Sequence, residues 1–545
     1  MTTVLVIGAG GVFGSRLAEG LLRHGFGVVV AGRDRARAEG VAVRLRRTFP
    51  GETVEVAVLD TTTLTPDQLK ATGASIVADM AGPFQGAEPT TARAAIAAGL
   101  HSVDLADGRD FVKAFPALDA AARAAGVVAL TGCSSTPALS NAVLDRLTEG
   151  WREIVSVEAA ISPGARAPKG LSVMQAILSW MGRPVMVFDG GVWTMRRGWG
   201  GLYARDFGGA GRRRVSLCET PDLDLFPARF APRDSALFLA GMEPWTLHLE
   251  GWLLARLVGW LRFNPVPLAQ ALLVMAKLHS TSGSDRGAMR VQALGVDGQG
   301  RAVRAVWRLV AEPGEGPVTP SLPALAAIRA LAAGRVAPGA RACVGVLPLE
   351  AIVDEMAPHG LTTTTETHRG LYPNAIGPAF DSLPEPIRSL HETPGRSLWR
   401  GRAMTEGAAT PLAALVARLV GFPRAQADCE AEVAIEADGE RAIWRRRIGG
   451  HGFRSVLSRP RSVGRVSERF GPLSMDLILT PEGDRLVYRV EGWRAGPIPL
   501  PKGLAPSTVA FEEVDAEGRF VFDVTISLPL VGRVVRYRGW LERVR

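Results

Sequence analysis

The stretch Val4-Leu5-Val6-Ile7-Gly8-Ala9-Gly10-Gly11-Val12-Phe13-Gly14-Ser15-Arg16-Leu17 decides how the rest of the chain is read. Four consecutive apolar residues with no polar partner describe a strand buried on both faces, the mark of a parallel sheet. Glycines at 8, 10, 11 and 14 then let the backbone turn tightly and approach a bulky anion. Val12, Phe13, Leu17, Leu21 and Leu22 recur at helical spacing, so a helix begins inside the turn. A strand, a glycine turn and a helix N-terminus together form a pyrophosphate cradle made of free amides and a positive helix end. The spacing satisfies both G-x-x-G-x-x-G and G-x-G-x-x-x-G, but not strict G-x-G-x-x-G, because Phe occupies position 13. The expected cofactor contacts are Gly8, Gly10, Gly11, Val12, Phe13 and Gly14; the alternative is a tight turn without a ligand.

Outward from this turn, Gly27–Arg33 reads as a second parallel strand. Its C-terminal end is where such folds choose between cofactors, an acid holding a ribose hydroxyl and a cation accepting a 2′-phosphate. Arg33 stands there with Asp34 beside it, which favours NADP over NAD, since a planar guanidinium suits phosphate. In the plainer reading Arg33 only begins a basic, solvated helix. Glu52–Leu59 gives a third strand ending at Asp60, within reach of an adenine. Residues 74–80 give a fourth, running into Ala81, Gly82, Pro83 and Phe84, expected beside the cofactor. Strands at 101–107 and 126–132 alternate with helices at 88–98 and 115–125. Such alternation predicts a doubly wound parallel sheet, a Rossmann domain over 1–150.

A resemblance follows from these runs. Gly8–Leu22, Ala31-Gly32-Arg33, Ala81–Gly86, Val103–Gly108 and Gly132–Ser140 resemble, in order, the saccharopine dehydrogenase-like NADP-binding family. The resemblance implies an NADP-binding domain followed by a mixed α/β substrate or dimerisation domain, without implying saccharopine as substrate. Near the C-terminus, Ile376–Phe380, Arg469–Leu473 and Arg536–Leu541 resemble a domain of unknown function found fused behind such domains in bacteria.

From 151 to 368 the pattern becomes mixed α/β. Strands are expected at Ile154–Ile161, Met289–Leu294 and Ala302–Val310, and helices at Ser172–Trp180 and Ala324–Ala333. The most apolar tract, Trp252–Leu278, is broken by Arg256, Arg262, Asn264, Pro265 and Pro267, too often for a continuous span of about 20 apolar residues. Two helices joined at 264–267 fit it, as buried core, as an apolar substrate wall, or as a surface element touching a membrane peripherally. Residues 369–545 carry a helix at Leu412–Val420 and then strand-like runs. These are 431–436, 441–448, 474–480, 485–493, 508–514, 519–527 and 533–541, separated by hairpin turns. They predict a mainly antiparallel curved sheet or half-barrel.

The formal charge of +9 over 545 residues comes almost entirely from arginine, scattered through every segment. No basic stripe interleaved with aromatics exists, so no nucleic-acid partner is expected. Cys133, Cys218, Cys343 and Cys429 lie far apart, and no His has a ligand partner at i+4, which excludes a metal site by spacing and suits a reducing cytoplasm. No basic leader precedes the first strand, in keeping with a cytoplasmic protein. His279, His359 and His451 are isolated.

Hydride transfer needs a proton source near the nicotinamide. The Tyr-x-x-x-Lys pair is absent, since none of Tyr203, Tyr372, Tyr488 and Tyr537 has Lys four residues on. Asp104, Asp107 and Arg109 fall at the end of the fifth expected strand, and Ser134 after the sixth, where open sheets meet their ligands. They are the catalytic candidates, with helix caps and local ion pairs as the plainer reading. The sequence thus predicts an NADP-dependent oxidoreductase acting by hydride transfer on a small, apolar molecule, with a homodimer as its expected assembly. The alternative is a non-catalytic NADP-binding scaffold whose β domain holds a lipid-like ligand or a protein partner.

Overall fold

The first strand, β1 (Thr3–Ile7), is buried on both faces as its composition demands, with Val4, Leu5 and Val6 fully shielded from solvent. In the computed structural model, which describes residues 2–168, 170–278, 283–459 and 465–544, β1 lies in the interior of a seven-stranded sheet. Its neighbours are β2 (Gly27–Gly32) and β4 (Ile76–Asp79), both parallel, with Val4 opposite Val28 and Ile76. Beyond β2 lies β3 (Val54–Val58); beyond β4 lie β5 (His101–Asp104) and β6 (Val128–Thr131). The order 3-2-1-4-5-6 reverses between β1 and β4, which opens a crevice at the carboxyl ends of those two strands.

A seventh strand, Gly339–Ala342, pairs parallel with β6. It comes from some 200 residues downstream and was not expected. The helix Leu322–Ala332 returns with it, and a Cβ on Gly20 would lie 2.8 Å from Leu325. The first sheet is therefore not completed within residues 1–150. By contacts the described chain divides into two units, 1–149 with 157–292 and 306–365, and 150–156 with 293–305 and 366–545.

The first unit contains most of a second, mixed sheet. Its core strand β7 (Glu153–Ser162) is joined by Ser235–Gly241, Arg212–Leu217 and Tyr203–Asp206 on one side and by Ala288–Val296 and Ala302–Ala311 on the other. The apolar tract forms two helices, Trp245–Leu261 and Ala269–Leu278, with a 3₁₀ turn at Val266–Leu268, as the prolines predict. Ala255, Val258 and Leu273 are buried, but Leu253, Leu257 and Trp260 are exposed, Trp260 to 77%. A fully buried core helix is thus excluded. No described helix is long and apolar enough to cross a membrane. His279 lies outside the described residues.

In the second unit the expected half-barrel is closed. Eleven antiparallel strands form its sheet, and all but the two-residue Ile498–Pro499 make a ring, because Leu473–Glu482 pairs with both Arg465–Phe470 and Arg485–Ala495. Three strands in the ring were not expected: Gly395–Glu406, His451–Ser458 and Arg465–Phe470. Trp399, Val433, Leu457, Val466, Leu477, Leu486, Phe522 and Leu541 build a buried core inside it. Arginines instead face outward in cross-strand pairs such as Arg400–Glu432, Arg485–Glu513 and Arg536–Asp523. Much of the scattered positive charge is therefore matched locally.

Candidate functional site: the carboxyl edge of the parallel sheet

The glycine turn is a backbone device. Gly8 adopts φ +79°, which only glycine takes without strain, and its carbonyl accepts from the Gly11 amide at 2.8 Å. A Cβ on Gly14 would overlap the Gly8 carbonyl oxygen and lie 2.8 Å from its carbon, so nothing larger than glycine keeps the helix this close to the strand. Helix α1 (Val12–Arg23) starts at Gly11 with no side-chain cap and no acid in its first turn. The amides of Val12, Phe13 and Gly14 consequently have no helical acceptor, which leaves three donors of the kind a diphosphate takes. The sequence places an anion site here, and the geometry fits a dinucleotide.

At the end of β2, Arg33 is exposed, near enough to Asp60 for its charge to hold that carboxyl below the usual range, after the two hydrogen bonds from Thr62 that contribute most. Asp34 is spent on helix α2 (Arg35–Thr48), whose Arg37 amide it caps at 3.1 Å. Arg37, which the sequence reading passed over, donates to the Gly10 carbonyl at 3.0 Å and so braces the turn from the same side.

The loop after β4 runs past the opposite wall. Ala81 and Pro83 are exposed, Gly82 is half-buried, and Phe84 packs edge-on against Phe111 at 5.3 Å. Asp79, at the tip of β4, accepts the Ala81 amide at 3.0 Å, while burial pushes its carboxyl up against the pull of Thr91 and of that amide. Together with Asp104, Phe84 and Phe111 it lines a cleft holding about 1000 Å³ of empty space, its open side included.

The catalytic candidates separate by environment. Asp104 is buried and takes hydrogen bonds from Thr131 Oγ1, the Gly132 amide and the Ala106 amide at 2.8–2.9 Å. Burial pushes its carboxyl to about 7 despite those donors. It ties the ends of β5 and β6 together. Asp107 accepts from Gln85 Nε2 at 2.9 Å, and burial again pushes it up. Ser134 precedes a short turn but makes no side-chain cap bond, so the expected capping role is not realised. Arg109 is committed elsewhere: both its Nε and an Nη hold Asp224, and Nη1 donates to the Met186 carbonyl at 2.8 Å.

Two carboxylates the sequence did not single out lie at the start of the helix Asp222–Phe230 and just before it. Asp222 is fully buried and accepts from Thr136, Ser140 and Asn141 at 2.7–2.8 Å, with burial pushing it to about 7. Glu219 is half-buried, pushed up by burial and pulled down by Arg109. No local signal pairs them with their upstream partners, Arg109 for Glu219 and Thr136, Ser140 and Asn141 for Asp222. Only the bare run Glu219-Thr220-Pro221-Asp222-Leu223-Asp224 marks an acidic helix start. Among the described residues no group of His, Cys, Asp and Glu has a metal-holding arrangement, and the four cysteines are free and buried.

Residues 4–130 match the family model described as the saccharopine dehydrogenase NADP binding domain. The chain is saccharopine dehydrogenase-like at its N-terminus. Residues 383–541 match a second model, described as a domain of unknown function (DUF4166). Residues 4–130 are thus similar to an NADP-binding domain, and the cradle, the uncapped helix end and Arg33 suit that cofactor. Comparison with curated proteins gives no match. Among solved structures, the chain is similar to GenD2 from gentamicin A biosynthesis, in complex with NAD. That similarity has 17% identity and a TM-score of 0.31, over 67% of this chain and 96% of that one. An alcohol dehydrogenase from the archaeon Thermococcus sibiricus, complexed with 5-hydroxy-NADP, shares 17% identity over 19% of this chain, with a TM-score of 0.16. A bulky-bulky ketone specific alcohol dehydrogenase from Comamonas testosteroni shares 22% over 19%, with a TM-score of 0.16. The chain spans 57% and 55% of the lengths of those last two proteins.

Proposed function

We propose that the chain is an NADP-dependent oxidoreductase that exchanges a hydride with a small, mainly apolar molecule. The observation that carries this reading is one edge of one sheet. An uncapped glycine cradle at the end of β1 stands in the same row as the carboxyls Asp104 and Asp107 at the end of β5. Gly8, Gly10, Gly11, Val12, Phe13 and Gly14 hold the pyrophosphate through backbone, Arg33 takes the 2′-phosphate, and Asp60 with Ala81, Gly82, Pro83 and Phe84 borders the nucleotide. When bound, NADP supplies the hydride donor or acceptor at its nicotinamide ring.

The residues of the chain then have a proton to manage. Asp107 is the candidate acid, because burial keeps its carboxyl protonated to higher pH while Gln85 fixes one of its oxygens. Asp104, which takes three donors on its Oδ1, positions the strand ends. Ser134 is left to donate to a substrate oxygen. Arg109 is tied to Asp224, which favours an uncharged substrate over a dicarboxylate.

The test is turnover of NADPH by the full-length chain with a panel of prenyl, acyl and keto compounds, followed by absorbance of the reduced nicotinamide. At least one substrate should be consumed, and Asp107→Asn should lower kcat by roughly 100-fold with NADPH affinity unchanged. Tight NADPH binding without consumption by any compound would overturn the catalytic reading and leave the scaffold.

A further inference from the structure

The barrel of the second unit has polar residues where its alternation calls for apolar ones. Inward positions on Arg441–Ile448 read Ala442, Trp444, Arg446, Ile448, and on Arg465–Phe470 they read Val466, Glu468, Phe470. Arg446 and Glu468 face one another at 3.4 Å, each with about one-seventh of its side chain exposed, and Arg446 also donates to Ser455 at 2.7 Å. The guanidinium lies 4.6 Å from the Trp444 ring centroid. An ion pair inside a barrel is costly to desolvate, and apolar residues of the same size would fill the space at least as well. Its retention calls for a use.

A second polar set closes the same space. The helices Leu371–Ile376 and Glu385–Glu392 bring Tyr372 and His391 against the strands, stacked at 3.7 Å. His391 Nε2 meets Glu512 at 2.6 Å, and the Tyr488 hydroxyl donates to the other oxygen of Glu512 at 2.8 Å. Tyr537 adds a buried phenol, which burial pushes up to about 12, so it stays a neutral donor. Around these groups lies a cavity with about 590 Å³ of empty space, its rim included, lined also by Met475, Leu477, Val524 and Ile526. A ring of ten strands leaves more lumen than side chains alone fill.

Two residues lining this cavity carry a buried polar atom with no hydrogen-bond partner among the described residues, Trp444 at Nε1 and Thr508 at Oγ1. Trp444 is 6% exposed and lines the cavity. Leaving a buried donor unpaired costs about 1–3 kcal/mol, so a chain that keeps one buried at a cavity wall gains by presenting it to a ligand acceptor. Arg446 is matched by Glu468, and both oxygens of Glu512 are already held, by His391 Nε2 and the Tyr488 hydroxyl. An anionic ligand would have to compete with Glu468 for Arg446.

We infer that the C-terminal barrel is a binding site for an uncharged, mainly apolar small molecule whose carbonyl or hydroxyl oxygen accepts a hydrogen bond from Trp444. The site lies wholly in the second unit and is independent of the cofactor cradle. The test uses the full-length chain and the uncharged fluorophore N-phenyl-1-naphthylamine, with farnesol and palmitate as competitors. Saturable binding of one probe per chain, displaced by farnesol at a concentration at least tenfold lower than palmitate needs, is expected. Ala510→Phe, which fills the lumen, should abolish probe binding. Trp444→Phe keeps the ring and loses the donor; it should weaken farnesol roughly tenfold while leaving the purely apolar competitor hexadecane unchanged. Circular dichroism confirms that each variant is folded. Unchanged probe binding in folded Ala510→Phe, equal potency of palmitate and farnesol, or equal loss of farnesol and hexadecane in Trp444→Phe would each overturn the inference. Should Ala510→Phe fail to fold, the Trp444→Phe comparison decides alone.

Discussion

The parallel sheet and the barrel hold their ligands in opposite ways. At the end of β1 the site is backbone: a turn of glycines and the first amides of α1, all within seven residues of sequence. Inside the barrel it is side chains from Tyr372 to Tyr537, brought together by a ring of strands. An anion is suited by many weak, fixed dipoles in a local turn, whereas an uncharged molecule needs an apolar enclosure with one or two placed donors. The first kind of site is sensitive to a single methyl group at one position. The second spreads its tolerance over many positions, and its weak points are the few polar atoms.

The largest test of this contrast is Gly14→Val. A Cβ there overlaps the Gly8 carbonyl, so either the turn opens or the helix retreats, and in both cases the amides leave the diphosphate. NADPH affinity, measured by quenching of protein fluorescence, should fall by roughly 100-fold or more, with binding of the naphthylamine probe by the barrel unchanged. Retained NADPH affinity would mean that the cradle is not what holds the cofactor, and the contrast would collapse.

A smaller effect concerns the joint where residues far apart in sequence support the local site. Asp222 and Asp104 are both pushed by burial from 3.8 to about 7, so each releases its proton more easily in the unfolded chain. In the window from about pH 4 to 7 the folded state therefore binds more protons, and stability falls as pH rises. Full ionisation of Asp222 corresponds to a loss on the order of 4 kcal/mol. Asp222→Asn, which keeps the shape and removes the charge, should reduce the drop in Tm between pH 5 and pH 8, the remainder being due to Asp104 and the other carboxyls raised by burial, Asp79, Asp107 and Glu219. Thermal scans at the two pH values check this; an unchanged drop would show that Asp222 ionises freely in the native fold.

What the sequence revealed divides along the same line. The cradle, Arg33, the six local strands and the NADP family could be read directly, because each depends on neighbours a few residues away. Strand Gly339–Ala342 could not: Gly-Ala-Arg-Ala has neither β-branched residues nor alternation, and it earns its place by pairing with β6. Asp222 was invisible because its three donors lie more than 80 positions upstream. Closure of the barrel was missed for a related reason. Gly395–Glu406 points Gly401 and Ala403 inward, where a Cβ on Gly401 would overlap the Trp540 carbonyl, so close strand approach erased the hydrophobic period a strand usually shows. Glu468 broke the period of its own strand in the same way, although that break marks the barrel's polar lumen.

The smallest effect sharpens the contrast most, because it tests the one side chain on which the backbone site depends for its choice of cofactor. Arg33 is exposed at the end of β2, while the acid beside it caps a helix through one oxygen, so the guanidinium is placed to meet a 2′-phosphate. A charge-assisted hydrogen bond is worth about 1.5–3 kcal/mol, and exposure to solvent puts Arg33 at the low end of that range. Arg33→Ala should weaken NADPH roughly tenfold and NADH by less than about twofold. The difference should shrink as salt is raised, since the pair is screened. Equal losses for both cofactors would place the 2′-phosphate elsewhere, with Arg37, which already reaches the turn through the Gly10 carbonyl, as the next residue to replace.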